Sequence, residues 1–262
     1  MGDIETVELS SFIKERYLGT MDFDAAFKAY QELSAFKVNE NIHEIIEGTD
    51  KEYNNDVHSI MRLASQFYMT KVLTALKIDL TDSNIAEDIS TGNIGTAGRI
   101  AKLFAASSMI DTTELMSGRW NPKPRMASFP NDGKTEPVFV TTRLDAVCSH
   151  HFIRFGDENS DPNSMVVVGY IPEDKLGGIS KINRFVEWCA SRGWLQESLT
   201  NYIGKEVEKA FETSSVYVAL IKNRHGCAST RGASDREAST STFYKSGKFL
   251  DNPELIPLQF RG

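Results

Sequence analysis

The stretch from Ile179 to Phe211 constrains the fold most, because it places two amphipathic helices back to back with almost no chain between them. Ile179, Ile182, Phe185, Val186 and Cys189 keep helical spacing, Arg192-Gly193 ends that run, and Leu195, Leu199, Ile203, Val207 and Phe211 define the next. Strand-like runs flank the pair. Residues 138–147 and 165–171 precede it, separated by a polar GDENSDPN loop and able to form a long-looped hairpin, while residues 216–221 and 238–244 follow it. The order strand-strand-helix-helix-strand-strand implies an α+β unit in which two helices cover one face of an antiparallel sheet. The opposite face also needs a cover, and a subunit neighbour is the expected one.

Upstream the pattern is helical. Residues 1–55 are acidic and polar with apolar clusters such as Phe23, Phe27 and Tyr30, and read as a helical N-terminal extension. Ile60, Met61, Ala64, Phe67 and Tyr68 form one face of a helix running from Val57 to about residue 78. Thr96 is the predicted cap of a further helix, on which Arg99 and Lys102 share a face. Gly, Pro, Asn and Ser between about 109 and 136 mark an irregular connection. The expected organisation is an extension (1–55), a helical region with its connection (56–136), and a catalytic domain (137–262).

The chemistry concentrates in two short segments, Cys148-Ser149-His150-His151 and His225-Gly226-Cys227, which hold five of the chain's three cysteines and five histidines. Zinc accepts thiolate and imidazole, and a catalytic zinc has three protein ligands and an open fourth position. Cys148, His151 and Cys227 can supply those ligands, leaving two histidines over. Buried free cysteines and unreactive histidines are the bland alternative, but this clustering is hard to attribute to packing. With no C-x-x-C pair, a closed four-cysteine site is excluded.

A formal charge of −7 and a pI near 5.4 argue against non-specific nucleic-acid binding, which needs a positive surface. No basic segment followed by an apolar run opens the chain, and no apolar stretch is long enough to span a bilayer. Thr6 fits a weak myristoylation pattern without a supporting basic patch. An odd number of cysteines suits a reducing compartment. A soluble cytoplasmic protein without membrane or nucleic-acid partners is expected.

The ordered segments CSHHF, GYIPEDKLGGISKINRFVEW, LQESLT, RHGCASTRG and ASTSTFYKSGKF together resemble GTP cyclohydrolase I, over roughly residues 56–250. The resemblance implies the tunnelling fold, in which ββααββ units assemble into a barrel around a subunit ring. It implies a homo-oligomer, commonly a decamer of two pentameric rings, with active sites between subunits. By matching positions it implies zinc held by Cys148, His151 and Cys227, and proton transfer by His225, at guanine N7, and by His150 with Ser180, during ribose rearrangement. Arg99, Lys102, Lys181, Arg184 and Arg231 match triphosphate-binding positions. Glu197, assisted by Gln196, matches the residue that reads the guanine N1 and 2-amino donors. The implied reaction converts GTP and water to 7,8-dihydroneopterin triphosphate and formate, from which folate, tetrahydrobiopterin and 7-deazaguanine routes can begin.

Two departures stand out. Ser149 replaces a usual glutamate, and CASTRG replaces a more usual CVKARG, removing one basic residue near the triphosphate positions. They keep open a zinc hydrolase of another purine or pterin, and a catalytically silent oligomer stapled by zinc is a separate alternative. A nucleobase deaminase is disfavoured because H-x-E followed by P-C-x-x-C is absent.

Overall fold

A computed structural model describes residues 2–42, 51–106, 115–156, 164–230 and 234–261. The chain divides into two compact units, residues 1–121 and 122–262.

Four helices dominate the first unit: α1 (Gly2–Arg16), α2 (Phe23–Glu32), α3 (Lys51–Ala75) and α4 (Gly95–Ala105). The apolar clusters of the first 55 residues are docking stripes. Leu9 and Ile13 of α1, with Ala26 and Phe27 of α2, pack on Ile60, Leu63, Ala64 and Phe67 of α3. Asp22 caps α2 by accepting from Ala25 N at 3.1 Å. Buried Asp56 of α3 accepts from Thr20 N, Thr20 Oγ1 and Met21 N at 2.9–3.0 Å, fixing the α1–α2 turn to α3. The expected Thr96 cap is not formed. Gly95, at φ 62, turns the chain into α4 one residue earlier, and Asn93 Oδ1 accepts from Gly95 N at 3.2 Å, so Thr96 lies inside the first turn.

The second unit is built on an antiparallel sheet of β2 (Val138–Thr142), β3 (Asp145–Val147), β4 (Arg154–Gly156), β5 (Met165–Tyr170), β7 (Val216–His225) and β8 (Ser239–Lys245). A separate ribbon pairs β1 (Ser128–Pro130) with β6 (Lys175–Gly177). The expected β2–β5 pairing is present, with Val138 opposite Tyr170. The single strand expected over 138–147 is instead two. After β2 the chain leaves β5, and β3 pairs with β4 in a short hairpin with Cys148 to Ile153 at its tip. Gly156, at φ 133, permits this because its Cα lies against the Leu144 carbonyl, where a side chain would collide. The polar loop's residues 157–163 lie outside the described residues.

Helices α5 (Ile179–Ala190) and α6 (Gln196–Phe211) cover one face. Gly193, at φ 81, makes the turn between them. Their Ile182, Phe185, Val186, Leu199, Ile203, Val207 and Phe211 pack on Val140, Val166, Val168, Val216, Val218 and Leu220. The opposite face carries Val167, Tyr217, Ala219 and Ile221. Here the expectation of a subunit neighbour is corrected. The chain's own C-terminal segment crosses this face, turned back at Gly247 (φ 49) into α8 (Lys248–Asp251) and seating Phe249, Leu255, Ile256 and Phe260 on the strands. Among the described residues, no helix is long and apolar enough to cross a membrane.

Two stability effects follow. Phe249 is fully buried among Phe139 and Tyr217, so Phe249→Ala should destabilise the protein by about 3–5 kcal/mol, read as a fall in urea midpoint. His58 is buried against Trp120, with ring centroids 4.8 Å apart, and burial, opposed by a hydrogen bond to the Ala106 backbone and reinforced by the charge of Arg62, lowers its pKa to about 4. The unfolded chain therefore takes up this proton first. The stability held above pH ~6.5 should fall by about 3 kcal/mol as pH drops towards 4. Unfolding midpoints against pH should flatten over that window in His58→Phe.

Candidate active site

Strand register gathers the chemical residues of the second unit at one end of its sheet. The β3–β4 tip is closed by Cys148 N donating to Ile153 O and Phe152 N donating to Cys148 O, both at 2.9 Å. Phe152 accepts a positive φ of 53 to complete the turn. Cys148 also bridges in parallel to Trp194, in the connection between α5 and α6. Trp194 N donates to Val147 O at 2.9 Å, and Ser149 N donates to Trp194 O at 3.1 Å. Cys148 is buried in this frame, while His150 and His151 project as exposed rings with centroids 5.9 Å apart.

The second segment arrives on β7. Phe155 of β4 lies opposite His225, so Ile153 abuts Gly226, where an added side chain would strike it. Cys227 follows, half-buried, in α7 (Gly226–Thr230). The two cysteine-bearing segments thus flank the same residue, Ile153.

A β-bulge determines which way His225 faces. From Val216 to Leu220 even-numbered residues face the helices and odd-numbered residues face the C-terminal segment. Leu220 pairs with Thr242 and Asn223 with Thr240, so β7 uses three steps where β8 uses two. The extra residue is Lys222, at φ 49, whose amide donates to Ser241 Oγ at 3.0 Å. Beyond it the alternation is inverted. Asn223 and His225 therefore face the helix layer, where His225 stacks on Phe155 (centroids 4.8 Å apart, planes 7° apart) and its Nε2 meets Gln196 Oε1 at 2.8 Å.

Burial lowers the His225 pKa, opposed by the nearby charge of Glu197. Glu197 is exposed in the first turn of α6. Gln196 beside it is buried, and its side chain is taken up by protein partners: Nε2 donates to Thr240 O and Thr242 Oγ1, both at 3.1 Å. Ser180, Lys181 and Arg184 lie together in the first two turns of α5, with Ser180 and Arg184 exposed. Arg99 and Lys102 belong to the first unit, where exposed Arg99 donates to Asn93 Oδ1 at 3.0 Å. Arg231 lies outside the described residues. Phe155, Trp194, Thr240, Thr242 and the Lys222 bulge were not singled out from sequence; the alternating Thr240 and Thr242 in ASTSTF was the available signal.

A family model described as GTP cyclohydrolase I matches residues 79–258. The chain belongs to the GTP cyclohydrolase I family. It is 33% identical over 184 residues to GTP cyclohydrolase 1 of Flavobacterium johnsoniae, covering 69% of this chain and 72% of that one. To the same-named protein of Wigglesworthia glossinidia brevipalpis it is 29% identical over 203 residues, covering 76% and 81%. To that of Yersinia pestis it is 32% identical over 188 residues, covering 70% and 74%. A solved structure, the archaeosine synthase QueF-Like in the apo form, matches at TM-score 0.34 and 20% identity over 45% of this chain and 97% of that one, too weakly to carry an argument. The ββααββ unit is the tunnelling fold, and the chain is a GTP cyclohydrolase I family enzyme.

Two thiols and an imidazole are a donor set suited to zinc, and the shared flank of Ile153 brings their backbones to one place. Among the described residues, no three His, Cys, Asp or Glu side chains converge closely enough to hold an ion. The fit to a metal therefore rests on donor chemistry and strand register.

The bulge itself can be tested. Lys222→Gly keeps the extra residue and suits its positive φ, so it should be neutral or stabilising by up to about 1 kcal/mol. Deleting Lys222 should turn His225 to the opposite face and lower kcat by about 10²-fold or more, measured as GTP turnover alongside circular dichroism.

Proposed function

We propose that this GTP cyclohydrolase I family member is zinc-dependent and converts GTP and water to 7,8-dihydroneopterin triphosphate and formate. What supports the reading is the strand register, which brings the backbones of the Cys148–His151 turn, His225 and Cys227 to one end of the sheet. Cys148, His151 and Cys227 would hold the zinc, which when bound supplies a water acidic enough to act as hydroxide near neutral pH.

The remaining work falls to the chain's own side chains. His225, fixed by Phe155 and Gln196, would deliver a proton to guanine N7 as the imidazole ring opens. Exposed His150, with Ser180, would serve the later proton transfers on the ribose. Glu197 would accept from the guanine N1 and 2-amino groups, disfavouring adenine, which offers no matching donors. Lys181 and Arg184, one turn apart on α5, would bind the triphosphate together with Arg99, Lys102 and Arg231. The proposal includes a homo-oligomer, as in the resemblance to decameric rings, and a cytoplasmic location where GTP is available and thiols stay reduced.

The test is to incubate purified, zinc-loaded protein with GTP and follow formate and dihydropterin in one sample. Both should appear. Formate without pterin would remove the rearrangement, and neither product from assembled, metal-bound protein would overturn the reading. Cys227→Ser should lose zinc and turnover together; tight zinc binding retained in that variant would break the ligand set.

A further inference from the structure

We infer that Gln196 is a positioning residue that holds the His225 ring in the tautomer with hydrogen on Nε2, leaving Nδ1 as the nitrogen that exchanges protons with substrate. Its catalytic consequence rests on the proposed function; the tautomer itself does not.

The partners of the Gln196 amide admit one orientation of that group. A carboxamide offers donors at one end and an acceptor at the other, and the two ends are told apart by their partners. At Gln196 the nitrogen end faces the Thr240 backbone carbonyl, which can only accept, at 3.1 Å. Thr242 Oγ1, also at 3.1 Å, takes the second amide hydrogen. The hydroxyls order themselves accordingly: Thr200 Oγ1 donates to Gln196 O at 2.8 Å, so Thr242 donates its own hydrogen to Thr200 across 2.7 Å. Flipping the amide would set two carbonyl oxygens face to face in a buried place, Gln196 being 2% exposed. The acceptor end must therefore point at His225.

Gln196 Oε1 lies 2.8 Å from His225 Nε2 and cannot donate, so Nε2 carries the hydrogen in the neutral ring. The stack on Phe155 fixes the plane of the ring, and the Gln196 bond fixes its rotation within that plane. Among the described residues Nδ1 has no hydrogen-bond partner, and it is the nitrogen left to face a ligand. The sequence resemblance assigned Gln196 to the substrate; the geometry commits its side chain to the protein.

The first measurement is magic-angle-spinning ¹⁵N NMR of sedimented, histidine-labelled protein at about pH 8.5, some two units above the ordinary imidazole pKa of about 6.5. His225 is assigned by comparison with His225→Gln. A protonated Nε2 and an unprotonated Nδ1 are expected, and the reverse pattern would overturn the proposal. Gln196→Met should show a mixed tautomer at His225 and lose about tenfold in kcat for GTP, out of the ~10²–10⁴ a positioned acid or base supplies, with KM and zinc content nearly unchanged. A raised KM with unchanged kcat would return Gln196 to substrate recognition and also overturn it. Should Gln196→Met misfold, Thr242→Val removes one amide anchor and should broaden the His225 resonances; an unaltered resonance would count against the clamp. Wild-type protein inactive on GTP yet showing the Nε2–H tautomer would sink the proposed function while leaving the clamp intact.

Discussion

Strand β7 is the constraint on which the second unit depends. From Val216 to Leu220 it is fully buried on both faces, which only a strand with both edges paired can tolerate. One edge is taken by β5 and then β4, the other by β8. Even-numbered residues draw α5 and α6 onto one face, and odd-numbered residues draw Phe249, Ile256 and Phe260 onto the other. The strand that organises the core thus also delivers His225 and Cys227, so chemistry and packing share one backbone.

That sharing brings a conflict of period. A strand of strict alternation would present His225 to the C-terminal segment, away from α6 and its Gln196-Glu197 pair. One extra residue at Lys222 resolves it locally, with Ser241 satisfying the amide freed by the irregularity. Beyond the bulge polar partners join apolar ones in holding the chain: Asn223 is buried next to Ser164 Oγ, and His225 meets Gln196 on its edge and Phe155 on its face.

The parts of the fold written in apolar periodicity were legible. Ile182, Phe185 and Val186, then Leu199, Ile203 and Val207, marked α5 and α6, and the β-branched runs marked β2, β5 and β7. What escaped depends on single residues or on distant partners. The β3–β4 hairpin has strands of three residues, too short for alternation to register, and hinges on Gly156. The C-terminal cover of the second face is set by the turn at Gly247 and a few spaced aromatics, which carry no period at all. At the site, Cys148, His150, His151, His225 and Cys227 stood out because their side chains are chemically rare. Gln196 could be noticed but not understood, since its role is defined by Thr240 and Thr242 more than forty residues downstream.

The bridge between Cys148 and Trp194 bears on motion. Amides of Cys148, Ser149, Phe152 and Trp194 are bonded within one small frame that joins a hairpin tip to the connection between two core helices. Trp194 is anchored in turn by its indole nitrogen, which donates to Cys189 O at 2.7 Å inside the helix layer. Local opening of the hairpin tip therefore requires release of an interhelical turn seated in the core. The amide hydrogens of Ser149 and Trp194, far apart in sequence, are both bonded across this frame, so opening it exposes the two together.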